Sequence, residues 1–332
     1  MFGLLKQRWA PRICSWVSLD IWHRMLEIEL LLPYYHVVSD DQLAHFSWIY
    51  KFRSISQFIA DVEFFLQSYI PVGLQDIVKH LEGGRRLPKR SFLLTFDDGF
   101  REIYDVVAPL LYSKGIPAVF FLTTSVIDNR DMMSPQKKSL LIRSLASIRD
   151  SPIKREVSNH LTNSGVEGSD LPSRIRSITY RQRHLLDELG VLLNCDFATY
   201  AYSARPYLTS EQIRGLMRRG FIIGAHSVDH PPYSEMSLDE QLLQTRESLG
   251  WLSSRYQYDC ETFAFPYNDA GVCREFFHTA FSDGHLKVSF GTGGVCPHFF
   301  PRNLERLSME GTDWPAKQIL ARQFGKAFLG RP

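Results

Sequence analysis

The chain has 332 residues, 44% of them apolar and 22% charged, enough for one large α/β domain or two small ones with a substantial core. A net charge of +2 argues against a whole-protein nucleic-acid binder, which would be far more basic. The five cysteines, Cys14, Cys195, Cys260, Cys273 and Cys296, are an odd and dispersed set, which suits a reducing compartment better than a disulfide framework.

The amino-terminal region, 1–28, reads as helical. Residues 1–24 combine Lys6, Arg8, Arg12 and Arg24 with Trp9, Trp16 and Trp22, a mix compatible with peripheral contact with an anionic membrane, although a packed helix is the simpler reading. No apolar core with a cleavage site reads as a secretory leader, and no run approaches the roughly 18 apolar residues that a spanning helix needs. The expected location is the cytoplasm, with the inner face of the membrane as the one surface this region would touch.

Residues 29–38 read as a buried strand ending on His36, Val37 and Val38. A helix follows over 54–67, opened by the capping box Ser54-Ile55-Ser56-Gln57, and a shorter one over 74–81 closes at Gly83-Gly84. Residues 91–96 form a short apolar strand that stops abruptly on Asp97, Asp98 and Gly99. A helix through Val106, Val107, Leu110 and Leu111 leads to another apolar strand over 117–122. From about 128 to 207 this alternation lapses into polar, mainly helical sequence. Between Arg130 and Arg183, 11 Lys or Arg stand against 5 Asp or Glu. That stretch is either a solvated helical insertion or a lid that attracts phosphate or carboxylate groups on a substrate.

The alternation then resumes. Thr209 and Gln212 open a helix, and 221–225 is a strand delivering His226. Ser237 and Glu240 cap the next helix, and the strand 261–265 ends on Pro266-Tyr267-Asn268. Residues 271–281 read as helical and 286–290 as a strand, and a terminal helix begins near Trp314-Pro315. Repeating strand and helix are the signature of a parallel sheet or barrel, whose functional groups sit at the carboxyl ends of the strands.

Two of those ends carry chemistry. Asp97-Asp98-Gly99 taken alone is an ordinary turn. His226 and His230, four apart, would share one face of a helical turn and fit the spacing of a zinc site, a weak signal by itself. Together they supply three nitrogen and oxygen ligands for a catalytic metal, leave a position for water, and leave one carboxylate over as a base.

Thr95-Phe96-Asp97-Asp98-Gly99, His226-Ser227-x-x-His230 and Phe265-Pro266-Tyr267 resemble, in this order, the first three motifs of the NodB-type polysaccharide deacetylases, carbohydrate esterase family 4. The resemblance spans roughly 30–309 apart from the insertion. It implies a distorted (β/α) barrel over 29–332, interrupted by the helical insertion at about 128–207, that removes acetyl groups from sugars with a divalent metal. Zinc is the expected ion, with cobalt or nickel as alternatives. The implied roles are Asp97 as general base, Asp98, His226 and His230 as metal ligands, and the Tyr267 backbone N–H as donor to the oxyanion.

Two departures from the family pattern stand out. The usual carboxy-terminal leucine-x-histidine motif is not evident; the corresponding stretch is Glu305-Arg306-Leu307-Ser308-Met309-Glu310. Pro33-Tyr34-Tyr35-His36, however, resembles the early strand of the circularly permuted subgroup typified by poly-N-acetylglucosamine deacetylases, in which the acid histidine precedes the Asp-Asp motif. This nominates His36 as the general acid, against a core histidine bonded to a neighbour. Ala264 stands where many members carry an arginine that orients the base, so Arg306 or Arg302 is expected to reach in from the next strand end. Tyr267 and Phe290 are candidates to line the acetyl-methyl pocket, and both are equally well explained as core.

The implied substrate is an N-acetylated sugar of a surface or exopolysaccharide pathway, carried as a glycolipid or sugar nucleotide. Two other functions fit the same residues: hydrolysis of another non-peptide C–N bond, and a catalytically weak carbohydrate-binding scaffold.

Overall fold

A computed structural model describes residues 17–149, 152–282 and 284–330. Its strands in chain order are β1 (Leu30–Leu31), β2 (Pro33–Tyr35), β3 (Ile70–Pro71), β4 (Ser91–Phe92), β5 (Leu94–Phe96), β6 (Ala118–Leu122), β7 (Ile222–Ala225), β8 (Thr262–Ala264), β9 (Val288–Gly291), β10 (Asn303–Glu305) and β11 (Leu307–Ser308). Strands β1, β4 and β3 form a small parallel sheet. The other eight form a second parallel sheet in the order β10-β9-β8-β7-β6-β5-β2-β11.

Both apolar runs expected as single strands change partners midway. Each breaks at a leucine, Leu32 or Leu93, so that its first half joins the small sheet and its second half the large one. The short strands β3, β10 and β11 carry no long apolar run, and their pairing is set by where the chain passes.

The two edges of the large sheet are consecutive pieces of one segment. β10 pairs with β9, β11 pairs with β2, and a single residue, Arg306, separates them. The sheet therefore closes on itself as a nearly closed (β/α) barrel of eight parallel strands, and the segment 303–308 is the seam.

Strand alternation divides the core. On β6, Val119 and Phe121 join Leu93, Ala264, Val288 and Phe290 in one cluster, while Ala118, Phe120 and Leu122 pack into the layer shared with the helices. The helix starts follow local chemistry: Ser54, Thr209 and Ser237 each cap through the side chain, with Gln57, Gln212 and Glu240 completing capping boxes.

After β6 come helices Ser134–Ser147, Pro152–Asn163, Leu171–Ser177, His184–Leu192 and Phe197–Ala204. They bury Leu141, Leu161, Ile175 and Leu189 in a core of their own that extends to Phe46 and Phe100 beside the barrel mouth. Several of the insertion's cations hold it together. Lys137 pairs with Asp131 and Asp187 at 3.1 and 3.0 Å, Lys138 donates to the Arg176 and Ile178 carbonyls, and Arg130 donates to those of Thr124 and Ile127.

At the amino terminus, helix Leu19–Leu26 packs Trp22 edge-on against Phe328 and His23 against Phe324 of helix Ala316–Leu329. Lys6, Arg8, Trp9, Arg12, Cys14 and Trp16 lie outside the described residues. Among the described residues, no helix is long and apolar enough to cross a membrane.

Candidate active site

The site begins where β5 runs out. The ladder extends one residue further, since the Asp97 N–H donates to the Tyr35 carbonyl at 2.9 Å. Period-two alternation puts Thr95 and Asp97 on the inner side and Phe96 in the helix layer. The chain then turns through Asp98 at φ +73° and Gly99 at φ +79°. The positive φ favours glycine at Gly99, where a Cβ would also push the Leu122 side chain aside from 2.9 Å. The reversal turns the Asp98 carboxylate away from that of Asp97.

Asp97 is buried and held at both oxygens by Arg306, at 2.6 Å to Oδ1 and 2.7 Å to Oδ2. The same guanidinium donates to Thr95 Oγ1 at 3.2 Å and to the Gly291 carbonyl at 3.1 Å, and lies 4.8 Å from the centre of the Tyr34 ring. This bidentate geometry fixes orientation as well as charge. Burial favours the neutral acid, but the Arg306 guanidinium outweighs it and holds the Asp97 carboxyl below the usual carboxylate range. Of the two expected arginines, Arg306 makes this pair, and Arg302 gives a main-chain carbonyl to the Ser289 N–H.

His226 and His230 do not lie on a helical turn. His226 follows β7 directly, and Ser227 at φ +65° and His230 at φ +62° fold the loop back, with Ser227 Oγ accepting the His230 N–H at 3.0 Å. The rim reverses the chain too sharply for helix, and the reversal points both imidazoles at one carboxylate. His226 Nε2 and His230 Nε2 lie 3.4 and 3.2 Å from Asp98 Oδ1. His226 Nδ1 donates to the Ala264 carbonyl at 2.8 Å, which leaves the Nε2 lone pair free in the neutral ring.

This donor set fits a divalent cation. Asp98 Oδ1 is buried without a hydrogen-bond partner among the described residues, and the Asp98, His226 and His230 ligand atoms lie within 4.8 Å of one another. Two nitrogens and one oxygen converging on a single point are the three-ligand complement of a catalytic zinc-type site. Burial would raise the Asp98 pKa, but the interactions with the His230 and His226 rings hold it well below the usual range.

Tyr267, after β8, has φ +59°, packs its ring at a tilt against His230 with ring centres 4.7 Å apart, and accepts a hydrogen bond from Thr292 Oγ1 at its carbonyl. Its own main-chain N–H donates to no partner among the described residues.

His36 follows β2 on the other side of the mouth. Its Nδ1 donates to Glu310 Oε2 at 2.6 Å, and Glu310 also accepts the main-chain N–H groups of His36 and Val37 at 3.1 Å each. Tyr50 Oη lies 2.5 Å from the same ring nitrogen. Burial works against protonation, but the Glu310 charge and hydrogen bond override it and raise the His36 pKa to about 9. Glu310 and Tyr50 were not singled out from the sequence. Glu310 falls in the stretch that corresponds to the family's late histidine motif, just past the end of β11.

His36, Tyr50, Asp97, Asp98, His230 and Tyr267 share one cavity of about 200 Å³ at the carboxyl ends of the strands. Its apolar wall is Phe46, Ile49 and Phe265. Of the two readings of Phe290, pocket wall and core, the structure shows the core one: it packs in the barrel interior 5.3 Å from the Phe121 ring, with Arg306 over its face.

The family model described as polysaccharide deacetylase matches residues 84–272. The chain belongs to the polysaccharide deacetylase family. The matched segment holds Asp97, Asp98, His226, His230 and Tyr267, whereas His36, Arg306 and Glu310 lie outside it.

The fold of this chain is similar to that of IcaB from Ammonifex degensii (TM-score 0.55, 16% identity, covering 89% of this chain and 97% of that one). It is similar as well to the Streptococcus pyogenes deacetylase PplD solved in complex with acetate (TM-score 0.56, 13% identity, 89% and 98%). A 60-residue segment is 38% identical to the poly-β-1,6-N-acetyl-D-glucosamine N-deacetylase of Escherichia coli (strain K12); it spans 18% of this chain and 9% of that protein.

Proposed function

We propose that the protein hydrolyses the acetamide of an N-acetylated sugar, supported by a divalent cation held by Asp98, His226 and His230. One observation carries this reading: a base kept ionised by Arg306, an N,N,O donor set and an imidazole kept protonated by Glu310 open onto a single cavity. When bound, the cation, with zinc the first choice and cobalt or nickel the alternatives, would polarise the acetyl carbonyl and acidify water.

The chain's own residues do the rest. Asp97 takes the proton from the attacking water, and Arg306 keeps that carboxylate ionised and aimed. The unclaimed Tyr267 N–H donates to the oxygen on which negative charge develops. An amide leaves badly as an anion, so His36 delivers a proton to the departing nitrogen, with Glu310 fixing its ring and its charge.

A cavity of about 200 Å³ is small for a binding pocket and leaves most of a glycan outside it. The similarity to a poly-N-acetylglucosamine deacetylase favours an N-acetylhexosamine of an exopolysaccharide or surface-glycan pathway. The dispersed cysteines favour a cytoplasmic substrate, carried on a lipid or a nucleotide.

The test is acetate release by metal-loaded protein from a poly-N-acetylglucosamine oligosaccharide, lipid-linked N-acetylglucosamine and its sugar nucleotide. Release from a carrier-linked form supports the whole reading. Preference for the free oligosaccharide removes the carrier, and no release from any of the three removes the deacetylase.

A further inference from the structure

Gln136 is a buried polar group at this cavity that stands outside both the candidate metal ligands and the two ion pairs. It is the third residue of helix Ser134–Ser147, the first helix of the insertion, and it lines the cavity while only 2% exposed. Its main-chain N–H donates to the Met133 carbonyl at 3.0 Å, but its side-chain Oε1 is buried without a hydrogen-bond partner among the described residues. The helix is pinned at this end. Ser139 Oγ donates to the Ala44 carbonyl at 3.1 Å and accepts the Trp48 N–H at 3.2 Å, tying it to the loop that brings Ile49 and Tyr50 to the same cavity. A buried amide oxygen without a donor destabilises the free protein, and the cavity that Gln136 lines is where an entering molecule could bring one.

Resting on the deacetylase reading, we propose that Gln136 determines specificity by accepting, through its side-chain carbonyl, a hydrogen bond from an N–H or O–H of the acetylated sugar. The acetamide N–H and a sugar hydroxyl offer the same chemistry to that oxygen. If the donor is the acetamide N–H, an O-acetyl ester lacks it, and the site discriminates against esters by leaving the amide oxygen unpaired. The insertion then supplies selectivity while the barrel rim supplies the reacting groups.

The test uses full-length, metal-loaded protein and two variants. Gln136→Met preserves length and removes both polar atoms, and Gln136→Glu keeps an acceptor. The expected result for Gln136→Met is an unchanged or higher melting temperature with kcat/KM on an N-acetylated glucosamine oligosaccharide about tenfold lower; Gln136→Glu retains more of it. A loss confined to the amide identifies the N–H as donor, and an equal loss on an O-acetylated sugar identifies a hydroxyl. A kcat/KM within about twofold of wild type, or a loss that follows a fall in melting temperature, overturns the proposal. If wild type releases no acetate, the function proposed above fails separately. Calorimetric binding of the oligosaccharide then decides: weaker binding by Gln136→Met supports the role of Gln136, and equal binding overturns it.

Discussion

Two ion pairs face each other across the cavity, and both reach it from the seam that closes the barrel. Arg306, within the seam, clamps Asp97, while Glu310, just beyond it, holds His36. The signs are opposite: a cation pushes the pKa of the carboxylic acid down, and an anion pushes that of the imidazole up to about 9. Pushing two titrating groups apart in this way leaves a carboxylate and an imidazolium together across the neutral range, as the proposed base and acid require.

The pairs also differ in depth. The side chains of Arg306 and Asp97 are 0% and 3% exposed, whereas that of His36 remains 18% exposed beside a buried Glu310. The first pair is therefore part of the barrel's packing as well as its chemistry, and the second is the more tunable.

The most severe test removes the base itself. Asp97→Asn should lower turnover by about 10²–10⁴-fold while metal content, measured by elemental analysis, stays at the wild-type level. Arg306→Leu follows: an uncompensated buried carboxylate should cost about 3–5 kcal/mol in urea unfolding. Adding Asp97→Asn to that variant should recover part of the loss, and strict additivity would show that the two do not act as a pair.

For the acid, turnover should decline as pH rises through about 9, where His36 loses its proton. Glu310→Gln removes the anion and should move that decline toward the ordinary histidine value of 6.5, lowering turnover at about pH 8 by roughly tenfold or more. An unmoved decline would detach Glu310 from the acid. The same pair contributes stability that is complete below 6.5 and lost as pH rises through about 9.

The smallest effect belongs to Glu305, on the other side of Arg306. Burial and the neighbouring Asp269 charge raise its pKa from 4.5 to about 7. The folded protein thus binds this proton more tightly than the unfolded chain, so stability should fall as pH rises from 4.5 through 7. Glu305→Gln should flatten that slope by no more than about 2 °C in melting temperature. A steeper slope in the variant would place the titration elsewhere.

Much of the barrel was legible in the sequence because its signals are local. Apolar runs of five or six residues ending on Asp97 and His226 mark strands and their functional ends, and the capping boxes at Ser54, Thr209 and Ser237 mark helix starts within four residues. What was misread was local geometry under tertiary control. The turn at 227–230 is bent by the rim, and the apolar runs at Leu32 and Leu93 change sheets.

By itself, the sequence determined the parallel alternation and the candidate base and ligands, because alternation and strand-end position are properties of a few neighbouring residues. Only the tertiary structure decided which arginine holds Asp97, that Glu310 holds His36, and that Gln136 reaches the cavity unpartnered. Arg306 and Asp97 are 209 positions apart, and Glu310 and His36 274. Contacts at such separations exist only once the seam at 303–308 has joined β9 to β2, and no local pattern encodes that closure.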